Sequence, residues 1–98
     1  MTAEELLRTM RDALASEREA IRRLDGRAVT EAASAKEKIL AGVNAAPASE
    51  RPALLAALRE LRIELRRNLL LLAHARDSLR EAIELCHPTG RGRLDARL

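Results

Sequence analysis

A long leucine-rich stretch, residues 49–86, constrains the fold of this chain more than any other feature. Its larger apolar residues recur at alternating steps of four and three, which is the spacing of an a/d heptad seam on one α-helix. The seam positions are Leu54, Leu58, Leu61, Leu65, Asn68, Leu72, Ala75, Leu79, Ala82 and Cys86. Because such a seam buries its leucines only against another helix, the sequence predicts one long helix of about 55 Å that packs against partner helices.

The apolar surface of this helix is wider than one seam requires. A second file runs at steps of seven residues through Leu55, Arg62, Leu69, Arg76 and Ile83. The four consecutive leucines at 69–72 point in directions about 100° apart, so no single packing face covers them. Part of this surface is therefore expected to contact a second flanking element or a molecule outside the chain. Asn68, a polar residue within the seam, is expected to fix the register of packing.

Two shorter helices are predicted before the long one, at residues 3–24 and 27–44. Thr2 followed by Glu5 forms a capping-box pattern at the start of the first. Between the two helices, either Gly26 ends the first in a left-handed conformation or Asp25 caps the second, unless one helix bends and continues. Ser49 is expected to cap the long helix, which tolerates a proline in its first turn.

The sequence predicts an all-α fold. Glu17 interrupts the apolar stripe of the first helix, and Lys36 lies within the stripe of the second. The first two helices could lie end to end along the third as an elongated antiparallel hairpin. Alternatively, all three could form a bundle from which one end of the long C-terminal helix protrudes. We expect a single helical domain at residues 1–86 and a flexible basic tail at residues 87–98, where a proline and two glycines prevent a helix.

Composition argues against several classes of function. The 98 residues include no Phe, Tyr or Trp, which most single-stranded nucleic-acid sites and small-molecule pockets use. Much of the net charge of +3 comes from the C-terminal tail, and positive and negative residues are interspersed elsewhere. Because the sequence also has no helix-turn-helix pattern, no nucleic-acid partner is expected. A single cysteine fits a reducing compartment, and neither a signal peptide nor a long apolar run is visible. We expect a cytoplasmic protein without membrane insertion.

No constellation of residues predicts catalysis or a cofactor. His74 and Ser78 are neighbours on one helix, but the sequence has no nucleophile elbow or glycine-rich oxyanion loop to accompany them. We therefore expect no enzyme activity, no metal and no cofactor. A small all-α chorismate-mutase-like enzyme stays a distant alternative, since Arg11, Lys36 and Arg51 supply the residue types that bind a dicarboxylate.

An ordered series of short helical motifs runs through the chain. The motifs are Glu17-Arg18-Glu19-Ala20-Ile21, Leu24-Asp25, Val29, Ala35-Lys36-Glu37-Lys38-Ile39-Leu40, Arg51, Leu54-Leu55, Leu58, Leu61, Leu65, Asn68, Leu71-Leu72, Arg76, Leu79 and Thr89-Gly90-Arg91-Gly92. In this order, over about residues 5–92, the chain is similar to the FlgN-like family of flagellar export chaperones. That family often has a tyrosine after the tail threonine, where this chain has Gly90.

The resemblance implies a cytosolic, all-helical chaperone rather than an enzyme. Members of this family hold the C-terminal helical segments of flagellar hook–filament junction (hook-associated) proteins and deliver them to the flagellar type III export apparatus. A helix lying in an apolar groove is one way to cover such a segment. The expected substrate-binding residues are Leu65, Asn68, Leu69, Leu72, Arg76, Leu79 and Ile83. Of these, the polar Asn68 and Arg76 are expected to set register and orientation.

Two alternatives to substrate binding stay open. Leu65, Leu72 and Leu79 belong to the seam and could pack on the first helix as core residues. A second copy of the chain could also satisfy the seam, which would make the protein a homodimer and a self-associating structural coiled coil.

Overall fold

Four α-helices make up the fold of residues 1–86, the part of the chain that the computed structural model describes. They are α1 (Ala3–Arg22), α2 (Gly26–Ala45), α3 (Arg51–Glu60) and α4 (Arg62–Cys86). The all-α class predicted from the sequence is confirmed, and this part of the chain contains no strand. The predicted tail, residues 87–98, lies outside the described residues. Each of the four helices is too short or too polar to cross a membrane.

The start of α1 has the predicted capping box. The Thr2 hydroxyl accepts a hydrogen bond from the Glu5 amide at 3.1 Å, and the Glu5 carboxylate accepts one from the Thr2 amide at 3.4 Å. These two bonds satisfy amides that have no partner inside the helix.

The turn between α1 and α2 places its left-handed residue at Leu24, with φ 54°. The Leu24 amide donates to the Ile21 carbonyl and the Asp25 amide to the Ala20 carbonyl, both at 3.0 Å, which is a Schellman pattern. Asp25 then caps α2, its Oδ1 accepting from the Ala28 amide at 3.1 Å. The Asp25 option is therefore confirmed. The Gly26 option is wrong, because that glycine is the first residue of α2.

The connection between α2 and α3 differs from the expectation for Ser49. Glu50, not Ser49, is the N-cap residue of α3, and its side chain makes no capping hydrogen bond. Instead, the amides of Glu50 and Arg51 both donate to the Pro47 carbonyl, at 2.9 and 3.2 Å. A tight backbone turn thus replaces the side-chain cap. Pro52 lies in the first turn of α3, as predicted.

The predicted long helix is divided at Leu61 into α3 and α4. The Leu61 amide donates to the Leu58 carbonyl at 3.1 Å, a tighter turn than the α-helix uses, and Leu61 has φ −88° and ψ 0°. No proline or glycine stands between residues 53 and 87 to cause this break. The break coincides with a change of neighbours, since α3 contacts both α1 and α2 whereas α4 contacts α1 but not α2.

The helices form a bundle in which α1 contacts each of the other three. The helices α3 and α4 run parallel to α1, and α2 runs antiparallel to it. Leu6 clusters with Val43 and Leu54 near one end of the bundle. Met10 and Leu14 cluster with Leu61 further along. The sequence left open an elongated hairpin and a bundle. The structure is a bundle, because α1 and α2 lie side by side rather than end to end.

The bundle is elongated. Its principal extents are 61 × 24 × 20 Å, and its radius of gyration is 18.4 Å, against about 13 Å for a compact domain of this length. Because α1 ends at Arg22, the last turns of α4 extend past the end of the bundle, and residues 76–86 are all exposed. This protruding end was one of the two sequence-based expectations.

Candidate functional site

Two of the predicted substrate-binding residues of α4 lie in the core. Leu65 is half-buried and packs against the cluster of Met10, Leu14 and Leu61. Asn68 is 1% exposed. Both residues hold α4 on α1 and offer a partner little surface. Leu65 therefore packs on the first helix, as the core alternative for the seam residues predicts. Asn68 fixes the register of α4 against α1 of the same chain.

The other five predicted residues lie on an apolar surface that residues 1–86 leave uncovered. Leu69 is 67%, Leu79 is 43% and Ile83 is 56% exposed. Leu72 is half-buried beside them, and Arg76 is exposed. Leucine and isoleucine side chains grouped at this exposure mark a surface that can bind another apolar element.

Asn68 belongs to a buried polar layer that joins α1, α2 and α4. Its Nδ2 donates to the Leu14 carbonyl at 2.8 Å and to Glu17 Oε1 at 2.9 Å, and its Oδ1 accepts from Arg18 Nη1 at 3.2 Å. Lys36 of α2 donates its Nζ proton to Glu17 Oε1 at 3.0 Å and lies 2.7 Å from Oε2. Within residues 1–86, no buried side-chain nitrogen or oxygen lacks a partner. The layer fixes how the three helices are aligned.

The polar residues Glu17, Lys36 and Asn68 were each identified from the sequence, but their contact with one another was not predicted. Each of the three apolar stripes carries one polar residue, namely Glu17, Lys36 and Asn68. A buried polar group without a partner costs about 1–3 kcal/mol, and a buried charge costs more. Three interruptions, two of them oppositely charged, are therefore a signal that these residues contact one another.

An open groove separates α2 from α4. No Cα atom of α2 lies within 8 Å of a Cα atom of α4, although both helices contact α1. Packed helices lie only about 8–10 Å apart between their axes, so these two are not packed together. Val29, Ala33 and Leu40 lie on the side of α2 from which Lys36 reaches Glu17. We define the α2–α4 groove by Val29 and Ala33 of α2 and by Leu69, Leu72, Arg76 and Leu79 of α4.

The groove narrows to a cleft of about 150 Å³ where α1 ends. The cleft is lined by Ile21, Leu24, Gly26, Val29, Leu72, Ala75, Arg76 and Leu79. Small-molecule sites usually measure about 300–1,000 Å³, so this cleft suits one or two aliphatic side chains better than a metabolite. A shallower depression continues along α4 past Arg80 and Ile83, which extends the surface toward the protruding end.

A second, wider depression of about 720 Å³ lies between α1 and α2, and no residue of α4 lines it. Ala13, Ala32 and Ala35 contribute only methyl groups, and charged residues such as Glu31 and Lys38 surround them. Because it offers few large apolar side chains, this depression is a weaker candidate for binding a helix than the α2–α4 groove.

Arginines form a row along the flank of α4. Arg62, Arg66, Arg76 and Arg80 are all exposed, and Leu69 and Ala73 occupy the intervening steps of four and three residues. We call these four residues the arginine row. No member forms an ion pair within 4.0 Å of a carboxylate among the described residues. Like charges one turn apart, as in the two arginine pairs here, destabilise a helix by roughly 0.2–0.5 kcal/mol per pair.

The three residues of the chorismate-mutase alternative each have a partner inside the chain. Arg11 pairs with Glu64 at 3.4 Å, and Lys36 pairs with Glu17 in the polar layer. Arg51 donates its Nε proton to the Ala46 carbonyl at 3.2 Å. Their contacts are with α4, α1 and the α2–α3 connection respectively, so the fold does not gather them around a common pocket.

Comparisons with protein-family models, with curated protein sequences and with solved structures find no match to this chain. Its function is therefore inferred from the exposed residues of α4, from the geometry of the α2–α4 groove and from the order of motifs along the sequence.

Proposed function

We propose that this protein binds an amphipathic helix of a partner protein in the α2–α4 groove. The observation that carries the proposal is the gap between α2 and α4, which do not contact each other, together with the exposed leucines of α4 that border this gap. A helix laid into this gap would bury its apolar face on both walls. The groove is too narrow at its cleft for a small molecule but suits the side chains of such a helix.

We further propose that the partner is a client of an export chaperone. The order of motifs resembles the FlgN-like family, whose members hold the C-terminal segments of hook-associated proteins and bring them to the flagellar type III export apparatus in the cytoplasm. These segments are helices that lack their final partners before export. An open groove with leucine walls on a protein without aromatic residues is consistent with covering a helix temporarily.

The roles proposed for individual residues follow their exposure. Leu69, Leu72, Leu79 and Ile83 contact the apolar face of the client, and Arg76 interacts with polar groups at its edge. Leu65 and Asn68 act indirectly, because they hold α4 at the angle that keeps the groove open.

The test compares two neighbouring leucines that point to different sides of α4. Leu69 borders the groove and is 67% exposed, while Leu70 is 60% exposed on a side about 100° away. The binding partner is a dye-labelled C-terminal segment, about 40 residues long, of a hook–filament junction protein. Leu69→Asp should weaken binding about a hundredfold, since it removes a buried leucine and adds a charge. Leu70→Asp should change binding by less than about threefold.

Both variants should keep the helical circular dichroism of the parent chain, because neither side chain is in the core. Equal binding by the two variants would exclude the groove as the binding site. Unfolding of the Leu69→Asp variant would mean that Leu69 is part of the core.

Self-association is the second candidate function. The seam continues beyond the bundle through Leu79, Ala82 and Cys86, which are all exposed. A second copy of α4 could cover these residues as a two-stranded coiled coil. The mass of the chain in solution, measured alone and with the client segment, distinguishes this structural role from binding a client.

A further inference from the structure

We infer that the helix bound in the α2–α4 groove carries a row of carboxylates beside its apolar face, and that the arginine row of α4 selects it. This inference builds on the proposed function, since it names the chemistry of the helix that the groove receives. Its basis is the row of exposed arginines beside the groove. Arg62, Arg66, Arg76 and Arg80 lie on the flank that also contains Leu69. Glu64 and Glu81 of α4 lie on other sides of the helix, whereas Asp77 and Glu84 lie one turn from Arg80.

The arginines of this row are available to a partner. All four are exposed, and the ion pairs among residues 1–86 involve other basic residues. Asp77 and Glu84 lie one turn before and one turn after Arg80 but are not within ion-pairing distance of it. Arg62, Arg66 and Arg76 have no acidic residue three or four positions away on α4, so the helix does not offset their charge, and an acidic partner would do so.

The spacing of the arginines defines where the carboxylates should lie. Arg62 and Arg66 form one pair, Arg76 and Arg80 form another, and the centres of the two pairs are 14 residues apart. This separation equals two heptads, or about 21 Å along the helix. A complementary helix would carry two acidic clusters two heptads apart on the same side of its apolar stripe.

A protein helix fits this flank better than a nucleic acid does. Leu69 and Ala73 stand within the arginine row, and the leucine is 67% exposed. These apolar side chains cannot contact phosphates favourably, but they suit the apolar border of an amphipathic helix. The described surface also has no aromatic side chain on which a base could stack.

The test uses two synthetic peptides of about five helical turns that share one leucine stripe. One carries glutamates at the two flank positions described above, and the other carries lysines there. The intact chain should bind the glutamate peptide at least about tenfold more tightly than the lysine peptide at low ionic strength. The difference should shrink as salt is added, because exposed charges are screened.

A matched pair of variants assigns the preference to the arginine row. Arg76→Glu combined with Arg80→Glu should abolish or reverse the preference for the glutamate peptide. Arg8→Glu combined with Arg67→Glu changes net charge equally but alters α1 and another side of α4, so it should retain the preference. Circular dichroism checks that both variants remain helical.

The possible failures are distinguishable. If both peptides bind equally at every salt concentration and Leu69→Asp abolishes that binding, the charge selection is wrong. The helix-binding groove would still be supported by that result. Absence of binding by both peptides and by the junction-protein segment would overturn the groove itself. Preference of the arginine row for a labelled DNA duplex over the glutamate peptide would overturn the assignment to a protein helix.

Discussion

Glu17 illustrates how one charged residue can organise a small helical bundle. It is 2% exposed, and its carboxylate accepts hydrogen bonds from Lys36 of α2 and Asn68 of α4. A buried carboxylate is stable only where its donors reach it, so a one-turn shift of α2 or of α4 would remove one of them. The polar layer therefore contributes specificity of alignment more than it contributes net stability.

This account predicts the effect of breaking the buried pair and then repairing it. Lys36→Met should lower the free energy of unfolding by about 2 kcal/mol, because Glu17 would stay buried without its counter-charge. That loss corresponds to a fall of about 10 °C in Tm for a chain of this size. Adding Glu17→Gln should recover at least half of the loss, since the amide oxygen can still accept from Asn68. Thermal unfolding followed by far-ultraviolet circular dichroism measures both variants.

A double variant that is less stable than Lys36→Met alone would contradict this description of the layer. Lys38→Met supplies the control, because Lys38 lies on the exposed side of α2 and is not among the ion-paired residues. It should change Tm by no more than about 2 °C.

The left-handed residue between α1 and α2 is Leu24, although the rule for helix ends had assigned that conformation to Gly26. A left-handed backbone usually favours glycine, and Gly26 stands only two residues away. The chain instead places Leu24 in that conformation, so that Asp25 can cap α2 and the leucine side chain lines the cleft. The capping bond and the cleft contact offset a conformational cost of about 1–2 kcal/mol, which no local pattern reveals.

At the scale of elements, α4 loses its packing partners progressively. Leu61 is fully buried, Leu72 is half-buried, and every residue from 76 to 86 is exposed. Most helical stability in proteins comes from tertiary packing, and a short unpacked helix is marginal in water. The last turns of α4 therefore gain little stability from packing within residues 1–86.

Amide hydrogen exchange measures this local stability. In the free chain, amides of residues 79–86 should exchange at least about tenfold faster than those of residues 62–72, which α1 covers. Adding the junction-protein segment should slow exchange on the groove side of α4 and at its protruding end. Uniformly slow exchange along all of α4 in a monomer would contradict the prediction, since the helix would then be stable without a partner.

Periodicity predicted the helices well because each apolar stripe reflects a packed face. The predicted ranges 3–24 and 27–44 differ from α1 and α2 by no more than two residues. The break at Leu61 was not predicted, because the seam continues through it without a proline or glycine. The break coincides with a divergence in packing, because α3 contacts α2 and α4 does not. The same divergence produces the α2–α4 groove, so the residues of α2 that border it could not be identified from the sequence.

At the scale of the whole molecule, the elongated shape and the exposed arginines define one extended surface along α4. The bundle is 61 Å long, and the α2–α4 groove and the arginine row both follow the second half of this length. A helix of similar length could lie along the molecule, with leucines on its inner face and carboxylates along one edge. The protruding end of α4 extends that surface beyond the bundle. This arrangement suits a protein that binds a helical segment temporarily, and it equally exposes a seam that a second copy could cover.

Native mass spectrometry of the chain, alone and mixed with the C-terminal segment of a hook–filament junction protein, tests the central claim most directly. The account predicts a 10.8 kDa monomer that converts to a complex containing one copy of each chain. A dimer that dissociates to form this complex would also support the claim, because the segment would replace the second copy in the groove. A stable dimer that does not bind the segment would contradict the claim and favour the structural coiled coil.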